Sequence, residues 1–257
     1  MRAVARPDSA QRYGRAVKTT VTDRWFLTLL PLTLGACASV PSSPAAPAPD
    51  AVVLPLESAD RLDLLRTRAE PVSYQGRRAI RLDPVDESNA DRDVLAMVRD
   101  LQLTDGEISI EVAGAPRPGA PADVRGFIGV AFHVSDDGSI YENVYLRPSN
   151  GRADEQLRRN HSVQYQSIPE FTWKRLRDET PGEYESYVDL RTGAWTRMRI
   201  KVQGTRAELY VDGAEQPCLI VRDLKHGARG GRVALWADPT TEAHFRALEV
   251  IPAGTHP

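Results

Sequence analysis

Apolar and polar residues alternate along much of the chain beyond residue 100. In "GEISIEV", Ile108, Ile110 and Val112 alternate with Glu107, Ser109 and Glu111, the pattern of a strand with one wet face. "WTRMRIKVQG" repeats it, with Met198, Ile200 and Val202 set against Arg197, Arg199 and Lys201. "RAELYVDG" puts Ala207, Leu209 and Val211 on one side and closes on Asp212-Gly213, a hairpin turn signal. "CLIVRDL", "GGRVALWAD" and "FRALEVIP" follow as further short strands. Short strands separated by turn residues predict an all-β sandwich. Helix is expected in two stretches only, "ADRLDLLRTRAE" and "DRDVLAMVRD".

"GFIGVAFHV" and "YENVYLRPSNG" flank a Ser-Asp-Asp-Gly turn and predict a hairpin. With His133 opposite Tyr141, Ala131 faces Asn143, Gly129 faces Tyr145 and Phe127 faces Arg147, all on one side. The other side holds Ile128, Val130, Phe132, Val134, Ile140, Val144 and Leu146, with Glu142 alone among them. The pattern therefore makes the first side the candidate binding face, with room above Gly129 and Ala131. A Glu142 buried on the second side needs a partner, and Arg147, Arg152, Arg159 and His161 are the candidates. Segment 149–190 is too long for a hairpin connection and too aromatic for disorder. It predicts a long ordered loop of the kind on which binding residues collect.

The amino-terminal region changes the picture. Residues 1–36 hold six basic and two acidic residues, which leaves 27 basic and 33 acidic residues in the remainder. A folded part with net charge −6 argues against nucleic acid as a partner. "RWFLTLLPLTLGAC" has a basic flank at Arg24 and an apolar run from Trp25 to Leu34, too short for a permanent membrane span. It ends in Leu34-Gly35-Ala36-Cys37, which resembles a bacterial lipobox. The expectation is a signal peptide over 1–36, lipidation at Cys37, a Pro/Ala/Ser-rich tether over 37–52 and a folded domain over 53–257. Asp23 in the basic region, with sixteen residues ahead of Val17, points to a translation start near Val17. Ala38 and Ser39 carry no Asp retention cue, so the resemblance implies a lipid anchor in the cell envelope. In a Gram-negative cell that is the outer membrane, facing the periplasm. Cys218, in the apolar run "EQPCLIV", then has no disulfide partner and reads as a small buried hydrophobe.

Taken in order, "TDGEISIEV", "GFIGVAFHV…YENVYLRP", "SVQY", "RIKVQGTRAELYVDG", "LIVRDLKHGARGGRVALWA" and "AHFRALEV" resemble the concanavalin A-like lectin/glucanase sandwiches. Their order and spacing are most similar to the branch containing the 3-keto-disaccharide hydrolases, from about Tyr74 to Val250. The resemblance implies an antiparallel jelly-roll β-sandwich whose concave face holds carbohydrate. In that branch an Arg ends the first strand of the hairpin and a Glu-x-Gln lies in the second. This chain keeps Glu142, but has His133 in place of the Arg and Val144 in place of the Gln. The resemblance also places Glu142 on the binding face, against the pattern, and a one-residue bulge would decide between them.

The candidate ligand-binding residues are His133, Asn143, Tyr145, Arg147, Gln164 and Tyr165, and the candidate catalytic pair is Glu142 and His161. That pair is either the acid and base of glycoside cleavage or a loop clasp. Tyr141, Tyr145, Tyr165, Trp173 and Tyr184 either stack on sugar rings or pack the loop on the sheet. No HExxH, paired Cys or EF-hand loop is present, and "SDDGS" reads as a turn. No metal site is assigned, and a divalent cation is left open as cofactor. The reading is an envelope-anchored carbohydrate-binding domain, with a glycoside hydrolase using Glu142 as the alternative.

Overall fold

The computed structural model describes residues 51–86 and 93–254. Cys37, the expected signal peptide and nearly all of the tether lie outside the described residues. The first strands are β1 (Val52–Leu54), β2 (Leu62–Leu65), β3 (Thr67–Tyr74), β4 (Arg77–Pro84) and β5 (Val94–Val98). Next come β6 (Gly106–Pro116), β7 (Ile128–Val134), β8 (Tyr141–Leu146), β9 (Val163–Ile168) and β10 (Glu185–Ser186). The last are β11 (Thr196–Gln203), β12 (Arg206–Val211), β13 (Leu219–Val221), β14 (Arg232–Ala237) and β15 (Thr241–Pro252). Two short helices, α1 (Gln156–Asn160) and α2 (Trp173–Glu179), flank β9.

The strands form two antiparallel sheets. One has eight strands in the order β13-β12-β11-β6-β15-β4-β3, with β1 added on β15. The other has seven in the order β10-β9-β8-β7-β14-β5-β2. The period-2 pattern accounts for the core between them. Met198, Ile200 and Val202 turn inward from β11 and meet Ile108, Ile110 and Val112 of β6. Across from them lie Ile128, Val130 and Phe132 of β7, Val144 and Leu146 of β8, and Val163 and Tyr165 of β9. On the outward side of the eight-stranded sheet the alternate positions make a charged ladder. Arg77 and Arg246 both reach Glu111, Arg199 reaches Glu107, and the Arg199 guanidinium lies 4.0 Å from the Tyr210 ring centre. Exposed pairs of this kind add little stability each and keep the face wet.

Three expectations are corrected here. The first helix-like stretch forms β2 and the start of β3, and the second forms β5. β5 is buried on both faces, with Val94, Ala96 and Val98 in the inter-sheet core and Leu95 and Met97 in a second apolar cluster outside it. A run that is apolar on both faces shows no strand period, and periodicity cannot separate it from a helix. Segment 149–190 is ordered, as expected, but it is not a plain loop. It contains β9, a full member of the seven-stranded sheet, paired to β8 from Tyr141↔Ile168 to Leu146↔Val163.

Candidate functional site

The hairpin of β7 and β8 has the register read from the pattern. Gly129 pairs with Tyr145, Ala131 with Asn143 and Phe132 with Glu142. Extending that register across the sheet aligns rows of outward side chains. One row runs Leu95, Trp236, Gly129, Tyr145, Gln164, Glu185. The next runs Met97, Ala234, Ala131, Asn143, Gln166. The small residues in the middle leave space for rings, and the Tyr145 and Trp236 rings meet there at 4.8 Å. Of the sequence candidates, Asn143, Tyr145, Arg147 and Gln164 lie together on this face.

His133 does not. Between Arg232↔Val134 and Ala234↔Ala131 the register slips, so that Phe132 and His133 together oppose Val233. His133 takes φ +52 in this bulge. The bulge sends Val134 to the outward cluster, and His133 Nε2 bonds the Thr104 carbonyl at 2.8 Å. His133 is fully buried, and burial holds its pKa below the ordinary histidine value. Tyr165 is also turned away from the candidate face. Its hydroxyl donates to Glu142 Oε2 at 2.6 Å and accepts from the Lys225 backbone N–H at 2.9 Å.

Glu142 lies on the inter-sheet side with no exposed surface. Its Oε1 accepts from the His226 backbone N–H at 2.9 Å, so the carboxylate ties segment 225–226 to the sheet. None of the four cationic partners expected for it is in place. Arg147 pairs with Glu185, Arg152 with Asp189, and Arg159 donates to the Tyr187 hydroxyl. His161 follows α1 and faces Glu185 at 3.4 Å. The expected Glu142–His161 pair is therefore not formed, because the two side chains belong to opposite sides of the sheet.

At one end of the outward face Tyr141 donates to Asp93 at 2.5 Å. Burial pushes the Asp93 carboxyl above its ordinary value, against the Tyr141 and Trp236 donors beside it. Asn143 sits near the middle, fully buried, with neither amide atom partnered among the described residues. Gln164 Oε1 is likewise unpartnered.

At the other end Glu185 accepts from Arg147 at 3.2 Å and from Arg177 through both oxygens. Arg147 also donates to the Tyr145 hydroxyl at 3.0 Å and lies over the Phe127, Tyr145 and Trp173 rings at 5.8, 5.3 and 5.5 Å. Burial pushes the Tyr145 hydroxyl up to about 12. Arg177 lies 4.8 Å from the Trp173 ring centre. Burial lowers the His161 pKa, Glu185 opposes that, and Arg177 and Arg147 reinforce it. Outside this cluster opens a cleft of about 560 Å³, lined among others by Asn160, His161, Arg177, Glu185, Ser186 and Tyr187.

Sequence reading missed Asp93, Gln166, Arg177, Glu185, Tyr187 and Trp236. Gln166 was within reach, because Gln164 and Gln166 alternate with Val163 and Tyr165. Glu185 was not, because a two-residue strand has no period. Among the described residues no group of three or more His, Cys, Asp or Glu side chains converges as a metal site requires. Asp137 of "SDDGS" closes its own turn, accepting from Ser135, from the Ser139 hydroxyl and from the Ser139 N–H, which hold its carboxyl at about 2.

No protein-family model matches the chain, and no curated protein sequence matches it. Solved structures do. One is a protein of unknown function with a galectin-like fold from Bacillus subtilis, 11% identical, covering 77% of this chain and 94% of that one, with a TM-score of 0.52. Another is the exoplasmic/lumenal domain of VIP36 in its Ca2+/Man-bound form, 10% identical, covering 80% of this chain and 91% of that one, with a TM-score of 0.51. At such identities the likeness is one of fold, and the chain has a lectin-type, concanavalin A-like β-sandwich fold.

Proposed function

We propose that this chain is a carbohydrate-binding protein without cleaving activity, and that the sugar sits in the cleft beside β10. The observation that carries the reading is the set of groups meeting there. The Tyr187 ring is 40% exposed, and the Asn160 amide, the His161 imidazole and the Arg177 guanidinium line the same opening. A sugar needs this combination, an aromatic plane for its C–H face and planar polar groups for its hydroxyls. The fold supports the reading, since VIP36 was solved in a Man-bound form on a similar sandwich. Cleavage lacks its parts. Glu142 is sealed between the sheets, and Glu185 is the one carboxylate lining the cleft, its oxygens taken by Arg147 and Arg177. Glycoside hydrolysis ordinarily needs two carboxyl groups across the bond.

Calorimetric titration of the purified chain with a panel of neutral and acidic oligosaccharides tests the reading. Binding is expected with at least one member, with no release of reducing ends, and Tyr187→Ala should weaken it about tenfold, the loss of one stacking plane. A panel that gives no heat, or a Tyr187→Ala chain that binds as before, overturns it. The same proposal places the domain outside the cytoplasm on a lipid at Cys37, as the lipobox-like "LGAC" implies. Cys37→Ser should move the protein from the membrane fraction to the soluble one, and unchanged fractionation would sink the anchor.

A further inference from the structure

Cations gather around the cleft although the chain around it is acidic. Beyond residue 36 the chain carries net −6. Yet one arginine, Arg177, lines this opening, a second, Arg147, lies beneath it, and a third, Arg159, holds the lining Tyr187. Arg147 and Arg177 converge on Glu185, and Arg159 reaches the Tyr187 hydroxyl at 2.9 Å, with its guanidinium 5.1 Å from the ring centre. Arg159 has no ion pair among the described residues, and its Nε–H is buried without a partner. Arg147 Nε–H is also unpartnered, on a side chain 6% exposed.

Depth decides what a ligand meets. The Glu185 side chain is 2% exposed, whereas Arg177 is 29% and His161 19% exposed. The carboxylate lies behind its partners and neutralises part of their charge from below. The guanidinium edge and the imidazole face the opening. Glu183 stands on the rim next to the lining Gly182, but it is exposed to solvent, where its charge is screened. A cleft lined by one partly dehydrated guanidinium, with a second beside it on Tyr187, favours an oxygen anion, because charge-assisted hydrogen bonds are roughly twice as strong as neutral ones.

We propose that the sugar bound here is acidic, carrying a carboxylate or sulfate that docks on Arg177 and Arg159 while its ring lies on Tyr187. This rests on the carbohydrate reading above and narrows it. Asn160 and His161 are left to bond ring hydroxyls.

Matched ligands separate the two claims. The full chain is titrated with oligogalacturonate and its methyl ester, with oligoglucuronate and its carboxyl-reduced form, with a sulfated oligosaccharide and its desulfated form, and with neutral gluco-oligosaccharides. At low salt the charged member of a pair should bind at least about tenfold more tightly than its neutral twin, and the gap should close as salt is raised. Arg159→Gln, which leaves both arginine partners of Glu185 in place, should narrow the gap without changing the melting temperature. Arg177→Lys, which keeps a cation beside Glu185 but loses the fork, should narrow it too. Equal binding of the twins, or binding of neutral sugars alone, overturns the acidic preference and leaves the carbohydrate reading standing. A preference that persists in both variants overturns its assignment to this cleft. Failure to bind any sugar overturns both.

Discussion

Glu142 pairs with Phe132, next to the bulge in β7 that holds His133, and the fates of Glu142 and His133 differ from what a family template would assign. The alternation of the hairpin put Glu142 inward and the resemblance put it outward; the structure agrees with the alternation. His133 was misplaced because its bulge arises against β14, and a hairpin read alone does not show its third strand. Glu142 now has a structural task. Its two oxygens accept from the Tyr165 hydroxyl and the His226 N–H, with no cation involved. In Glu142→Gln the amide would present N–H groups to a Tyr165 oxygen that already accepts from Lys225, leaving the phenol hydrogen without an acceptor. The expected loss is about 1–3 kcal/mol in urea unfolding, the desolvation cost of one stranded polar group. An unchanged midpoint would remove the clasp. His133 makes a pH prediction. Its folded pKa lies below the unfolded value of about 6.5, so both states are neutral above that pH and the unfolded state takes up the proton first below it. Stability is therefore complete above about pH 6.5 and falls as pH drops towards the folded pKa. His161 and His244 are shifted the same way, by burial, while half-buried Asp93 and Asp238 are shifted upward and act with the opposite sign. Only a comparison isolates one residue. His133→Gln, which keeps a donor for the Thr104 carbonyl, should flatten the fall in melting temperature between pH 6.5 and 5, and a slope equal to the parent's would rule His133 out.

At the scale of elements, strands that alternate or that flank a turn signal were legible, and β5, buried on both faces with no turn to mark it, was not. β6, β11 and β12 each have a wet face on the charged ladder, so their period showed. β5 has none, and β10 is too short to have a period at all. The cleft was hidden for a related reason, since it is built from β10, the two short helices α1 and α2 and the turns after them, where contacts rather than periodicity set the geometry. Two glycines separate packing from backbone preference. At Gly129 an added Cβ would lie 2.2 Å from the Val144 carbonyl oxygen and 2.6 Å from the Tyr145 Cα, atoms of the paired strand that cannot yield alone. At Gly213, where φ is +78, nothing lies within 4 Å. Gly213→Ala should cost about 1 kcal/mol, the penalty for the left-handed conformation at the Asp212-Gly213 turn. Gly129→Ala should cost about 1–3 kcal/mol, because β7 and β8 must part. Denaturant midpoints that reverse this order would mean that the hairpin is looser than its register implies.

For the whole molecule, the charged ladder on one sheet and the ring-filled face on the other give the sandwich two unlike outsides, and the candidate cleft opens at the edge of the second. The other consequence lies in how the larger sheet is joined. β15 runs between β6 and β4 and also holds β1, so a single strand carries the neighbours on both sides of it. These partners lie far apart along the chain, with Val52 meeting Val250 and Ile80 meeting Phe245. Pairings over such separations form slowly, because the loop entropy must be overcome before any contact compensates it. During synthesis, the strands made before β15 lack the one that joins them. Chains arrested on the ribosome should stay sensitive to added protease until residues 241–252 have cleared the exit tunnel, and turn resistant only afterwards. A targeting factor or chaperone that recognises extended polypeptide thus has the whole interval before β15 is made in which to capture this chain.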